Sequence, residues 1–123
     1  MADLFWARAG SFLMLVAVAA GAFGAHGLRQ KLTPDLLAVF ETGVRYQAYH
    51  ALALFAVAWM AQRAPGRLVD SAGWCFLWGV ALFSGSLYAL ALTGVRKLGA
   101  ITPIGGLLFL IGWLCLLLSS RSA

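Results

Sequence analysis

Apolar residues run along this chain in long blocks separated by short polar stretches, and the block length sets the architecture. A helix needs about 20 apolar residues to cross the hydrocarbon core of a bilayer. Four stretches approach that length: residues 4–25, interrupted near the start by Arg8, then 44–61, 71–93 and 101–118. The connections HGLRQKLTPD, QRAPGRLVD and TGVRKLGAITP are short. Helices that follow one another through short loops pack antiparallel. The predicted fold is therefore all-α, a polytopic membrane protein in one domain over residues 1–123. It is an antiparallel four-transmembrane-helix bundle with both termini on the same side.

The helix starts are marked. Thr33-Pro34-Asp35 supplies a cap, a proline at the first helical position and an acid in the first turn. Thr102-Pro103 repeats the device before the fourth span. The second helix should then run from Pro34 to about Arg63. That is roughly 45 Å, longer than the hydrocarbon core, so its opening PDLLAVFE is expected at the interface. A signal-peptide reading of the first span, with Arg8 as the charged start and GAFGAHG as the exit, competes with a retained span; retention is the reading adopted.

Small residues recur at helical spacing. Ala17, Gly21 and Ala25 stand four apart, as do Ala20 and Gly24, and Gly79, Gly85, Gly105, Gly106 and Gly112 stud the last two spans. Such stripes let helix backbones approach closely in lipid, where no hydrophobic force drives association. FLMLVAVAAGAFG aligns with FLWGVALFSGSLY at an offset of 64. Two repeated helical hairpins would leave that trace, and so would chance between two Ala/Leu/Gly-rich helices.

Composition strengthens the membrane assignment. Hydrophobic residues make up 63% of the 123 and charged residues 11%. A soluble domain of this size buries only about two thirds of its surface and could not hide so much oil. The net charge of +5 does not indicate nucleic acid, because the basic residues stand singly or in pairs at the span ends. They read as membrane-interface anchors, and the expected partner is the lipid bilayer. Cys75 and Cys115 lie inside apolar spans with no metal or disulfide spacing, and read as small buried hydrophobes.

The unusual polar residues gather on one side of the membrane. Counting spans places His26, the segment ETGVRYQAYH, Ser84, Ser86, Tyr88 and Thr102 on the side away from the termini, hereafter the far side. On a helix Glu41, Arg45 and Tyr49 share one narrow face, flanked by Thr42 and Tyr46, with His50 one turn beyond Tyr46. Glu41 four residues before Arg45 is the favourable order for a helical ion pair. Arg45 would have donors left for Ser84, Ser86, Tyr88 or the carbonyls near Gly24 and Ala25. The expectation is a buried polar cluster at the far rim.

Several chemistries were weighed for that cluster. His26 and His50 lack the partner spacing of a haem bundle, and a metal site with Glu41 would need convergence that spacing does not supply. No charge stands at mid-depth in spans one, three or four, which argues against a proton path. Ser84 and Ser86 in SGSLY lack the strand-turn setting of a nucleophile. The reading is a protein with no catalytic residues, no metal and no cofactor. It would serve as a structural or accessory component of a membrane assembly, with another membrane protein or further copies of itself as partner. The alternative is binding or transport of a small ligand, a lipid headgroup, an ion or a proton by a homo-oligomer.

GAFGAHGL, ETGVRYQAYHALAL, SGSLYALALTG and LGAITPIGG, in that order, resemble the signature of a family of small membrane proteins. This is the YgdD- and YwdK-like family, domain of unknown function four-two-three, which includes a eukaryotic transmembrane relative. The resemblance spans about Gly10 to Trp113 and implies a four-helix integral protein, multi-pass, of the bacterial inner membrane. It implies no activity.

Overall fold

The computed structural model describes residues 2–122. The helices are α1 (Ala2–Phe23), α2 (Pro34–Arg63), α3 (Arg67–Thr93) and α4 (Thr102–Ser119). A π-helical turn, Gly24–Leu28, extends α1, and 3-10 turns Arg96–Ala100 and Ser120–Ser122 flank α4. No strand occurs among the described residues.

Local chemistry explains the boundaries. Thr33 caps α2 by accepting from the Leu36 amide, and Pro34 opens the helix. α3 ends at Gly94, which adopts φ 75°, and its amide reaches back to the Leu90 carbonyl. Glycine takes this left-handed conformation without strain. Thr102 differs from expectation. It makes no cap for α4. Its hydroxyl is instead within 2.6 Å of the Ser86 hydroxyl on α3, so the side chain ties two helices together.

Successive helices run antiparallel. α2 and α3 form the central pair, α1 packs on α2, and α4 packs on α3, while α1 and α4 do not pack closely on each other. The bundle is thus an open row, not a closed square. α1, α3 and α4, with the short turns that extend them, are long and apolar enough to cross a membrane. α2 falls short of that apolarity because the expected second span, 44–61, includes Arg45, Gln47 and His50. It compensates by position. Ten of its residues are buried, against three in α1. Polar groups in a membrane helix are tolerated where neighbouring helices cover them.

The larger core joins all four helices through Trp6, Leu54, Val57, Val69, Phe76, Phe109 and Leu116. A smaller one on the far side joins Leu28, Phe40 and Ala91, with Leu37 and Val39 packed against it. The oily side of the α2 opening thus packs largely against this far-side core.

Glycines set the helix spacing. A Cβ on Gly105 would collide with the Phe83 backbone, and one on Gly112 would stand 2.6 Å from the Phe76 ring. Gly24 is covered by Phe40, and Ala17 is buried. Gly21 has only ordinary contact with Val44, and Gly106 only loose contact with Phe83. Two positions of the expected stripes differ: Ala25 is exposed, and Gly85 has nothing near its missing Cβ. Ala25 falls within the π turn Gly24–Leu28. Gly10, Gly43 and Gly73 make close approaches that the stripes did not include. The two aligned sequence blocks sit in different surroundings: Phe12 is 62% exposed, whereas its counterpart Phe76 is fully buried.

Candidate functional site

α2 presents two chemically distinct faces. The inward face follows Phe40, Gly43, Gln47, His50, Leu54 and Val57, a run of three- and four-residue steps. Such steps place residues on one helix face. Glu41, Arg45, Leu52 and Phe55 follow the same rhythm on another face, and all four are exposed.

The inward face carries a hydrogen-bonded network. Near the far rim Ser84 donates to the Gly43 carbonyl at 2.6 Å, joining α3 to α2. One turn deeper Gln47 bridges three helices. Its amide Nε2 donates to the Leu13 carbonyl of α1 at 2.7 Å, and its Oε1 accepts from the Tyr88 hydroxyl of α3 at 2.6 Å. Deeper still, His50 stacks on Phe109, with ring centroids 3.6 Å apart. Its Nδ1 is 2.8 Å from the Tyr46 carbonyl, and the Trp113 indole donates to its Nε2 at 3.1 Å. An indole N–H can only donate, so Nε2 must be the unprotonated nitrogen. His50 is therefore the neutral Nδ1–H tautomer, which satisfies both contacts.

Gln47 and Trp113 were absent from the candidates read from the sequence, although they hold the network together. The signal was present. Gln47 sits on the inward stripe between Gly43 and His50, where a polar residue must find a partner or incur a desolvation cost.

The expected Glu41–Arg45 pair is not formed. Both side chains are exposed, and among the described residues neither takes part in an ion pair or a side-chain hydrogen bond. The physical reason is magnitude: an exposed i,i+4 pair contributes only about 0.3–0.5 kcal/mol, too little to impose its geometry. Nor does Arg45 reach Ser84, Ser86 or Tyr88, whose hydroxyls are taken by Gly43, Thr102 and Gln47. Instead, Glu41 and Arg45 border an open cleft of about 220 Å³ between α1 and α2, lined also by Gly21, Gly24, Phe40 and Val44.

The remaining candidates divide between faces and rim. Thr42 donates to the Ala38 carbonyl of its own helix. Tyr46 leans on Phe83 and meets Tyr49 edge-on at 5.6 Å, and both tyrosines are exposed. His26 is exposed in the π turn, whereas His50 is buried in the bundle. The structure does not unite them, and no three metal-ligating side chains converge among the described residues. At the rim Arg96 pairs with Asp35 at 2.8 Å. The Asp35 carboxyl is lowered to about 2 by the Thr33 hydroxyl first and by the Arg96 guanidinium second. On the opposite side of the membrane, Trp6 is buried against Gly73 and Trp74, and its indole N–H is the one buried side-chain polar atom without a partner among the described residues.

Comparison with known proteins places the chain among membrane proteins of unknown function. Residues 20–106 match a family described as a protein of unknown function, DUF423. The chain is 48% identical over 112 residues to the UPF0382 membrane protein YwdK of Bacillus subtilis, covering 90% of this chain and 91% of that one. It is 50% identical over 111 residues to the UPF0382 membrane protein SH2409 of Staphylococcus haemolyticus, covering 90% of each. No solved structure matches. The family match includes the cleft, the Gln47–Tyr88 half of the bridge and the Ser86–Thr102 contact, and leaves Leu13 and Trp113 outside.

Proposed function

The chain belongs to the DUF423 family of membrane proteins of unknown function, and from that premise we propose that it serves as a structural or accessory component of a membrane assembly. One observation carries the reading. Among the described residues the buried polar side chains of α2 and α3 all have partners, in one another, in Thr102 and Trp113 of α4 and in helix carbonyls, so none of them is free to handle a substrate or pass a proton. Toward the near side the interior closes with Leu54, Val57, Val69 and Phe76, all apolar. A transport path would need polar groups along its length.

What the chain offers outward fits a partner. The apolar windows of α1 and α4 are each only 17% buried, and these two helices flank the row without closing it. Helix–helix association in lipid rests on packing and a few hydrogen bonds, and an open row has two flanks for such contacts.

Native mass spectrometry from solubilised membranes tests this. The expected result is the chain in fixed stoichiometry with a different membrane protein. A chain that leaves the membrane only as a homo-oligomer, and that then conducts protons or solutes in proteoliposomes, would overturn the reading.

A further inference from the structure

We propose that the α1–α2 cleft at the far rim binds the headgroup of one aminophosphate phospholipid of the phosphatidylethanolamine type, with an acyl chain in the groove below it. The cleft holds two opposite charges that do not neutralise each other, Glu41 and Arg45. Its volume of about 220 Å³ is small. Drug-sized ligands occupy clefts of roughly 300–1,000 Å³, so this one suits a headgroup and not a larger solute.

The order of the charges matches such a lipid. α2 begins at the far rim, so Arg45 lies deeper in the membrane than Glu41 by one helical turn, about 6 Å. A phosphatidylethanolamine places its phosphate deeper and its ammonium further out. Arg45 would then meet the phosphate, for which a guanidinium fork is well shaped, and Glu41 would accept from the ammonium. Side chains on a helix tilt toward its N-terminus, here toward the headgroups, so both charged tips snorkel to that level. Unpaired charges near the hydrocarbon boundary are costly, which gives an occupant of this charge pattern something to offset.

The surface below the charges is apolar. The α2 face carrying Glu41 and Arg45 continues through Leu52 and Phe55, both exposed. Phe55 borders an open groove of about 510 Å³ whose other wall is Met14, Leu15 and Val18 of α1. Val18 lies one turn below Gly21, which lines the cleft. Charged cleft and oily groove therefore follow the same α1–α2 seam, head above tail. Gly21, where a Cβ would meet only Val44 at 3.5 Å, adds nothing to narrow the upper part.

The test is native mass spectrometry and thermal-shift titration of the purified chain with dioleoyl phosphatidylethanolamine, phosphatidylglycerol and phosphatidylcholine. The intact chain should retain the ethanolamine lipid about tenfold better than the glycerol lipid, the equivalent of one charge-assisted hydrogen bond. The choline lipid, whose quaternary nitrogen has no N–H, should also bind more weakly. Glu41→Gln should erase the preference for ethanolamine over glycerol while retaining phosphate-dependent binding. Arg45→Gln should weaken both lipids. Each variant should keep the lipid-free melting temperature, because neither side chain has a partner to lose. Equal retention of the three lipids by the intact chain, a preference for phosphatidylglycerol, or a Glu41→Gln chain with unchanged selectivity would each overturn the proposal.

Discussion

The two halves of this bundle are held together by different means. Toward the far side, side chains reach across helix boundaries to hydroxyls and carbonyls: Ser84 to Gly43, Tyr88 to Gln47, Gln47 to Leu13, Ser86 to Thr102. Toward the near side one such bond, from Gln62 to Asp3, joins α2 to α1, and otherwise rings sit where glycines leave room, with Trp6 over Gly73 and Phe76 against Gly112. Lipid tails are as apolar as the helices, so neither half gains from hiding oil, and each needs directed bonds or close contact. Bonds specify partners and leave room for polar groups at the surface. Sockets specify shape.

The sharpest way to break the socketed half is to fill a socket. Gly112→Ala places a methyl 2.6 Å from a Phe76 ring that is fully buried and has no space to retreat. Overpacking of this kind costs about 1–3 kcal/mol. Gly85→Ala is the matched control, since nothing lies within 4 Å of the new methyl. There the better helix propensity of alanine should leave stability unchanged or raise it by up to about 1 kcal/mol. Melting temperatures in mild detergent should fall for the first and not for the second. No fall for Gly112→Ala would mean that the α3–α4 seam is looser than its geometry implies.

The bonded half should respond to loss of single polar atoms. Tyr88→Phe and Gln47→Leu, alone and together, form a cycle around one 2.6 Å hydrogen bond. Side-chain hydrogen bonds between membrane helices couple by about 0.6 kcal/mol on average and up to about 1.7 kcal/mol. The upper part of that range is expected here, because Gln47 also holds the Leu13 carbonyl and its amide is fixed from both ends. A coupling indistinguishable from zero would assign the bridge to packing and remove the distinction between the halves.

The contrast also explains what the sequence could convey. Span count, antiparallel order and the Thr33-Pro34 start of α2 rest on local rules, block length and capping, and each can be read from a few adjacent residues. Gly105 was legible for the same reason, as a small residue where two helices must touch. The network was harder. Whether Gln47 faces inward depends on the phase of the whole α2 stripe, and its partners lie 34 and 41 residues away. The Glu41–Arg45 spacing predicts a bond because i,i+4 geometry permits one. Permission is not stabilisation at an exposed position. Thr102 shows the same limit: its local signal is that of a cap, and the nearby Ser86 hydroxyl changes its use.

The smallest expected effect lies at the rim, where Asp35 meets Thr33 and Arg96 in the bonded half. Its carboxyl is lowered from 3.8 to about 2 in the folded chain. The folded state therefore binds this proton less readily than the unfolded one. The contribution to stability is fully present above the unfolded value, near pH 4, and is lost as the pH falls through the folded value. Both partners are largely exposed, at 70% for Arg96 and 61% for Asp35, so salt should screen much of it. Melting curves of the intact chain and of Asp35→Asn, followed in detergent from pH 5 to pH 2, should converge toward the acid end. They should lie closer together throughout at high salt. Curves that stay parallel across that range would show that the rim pair does not couple the α3–α4 connection to the start of α2. The bonded half would then be confined to the interior hydroxyls and the Gln47 bridge.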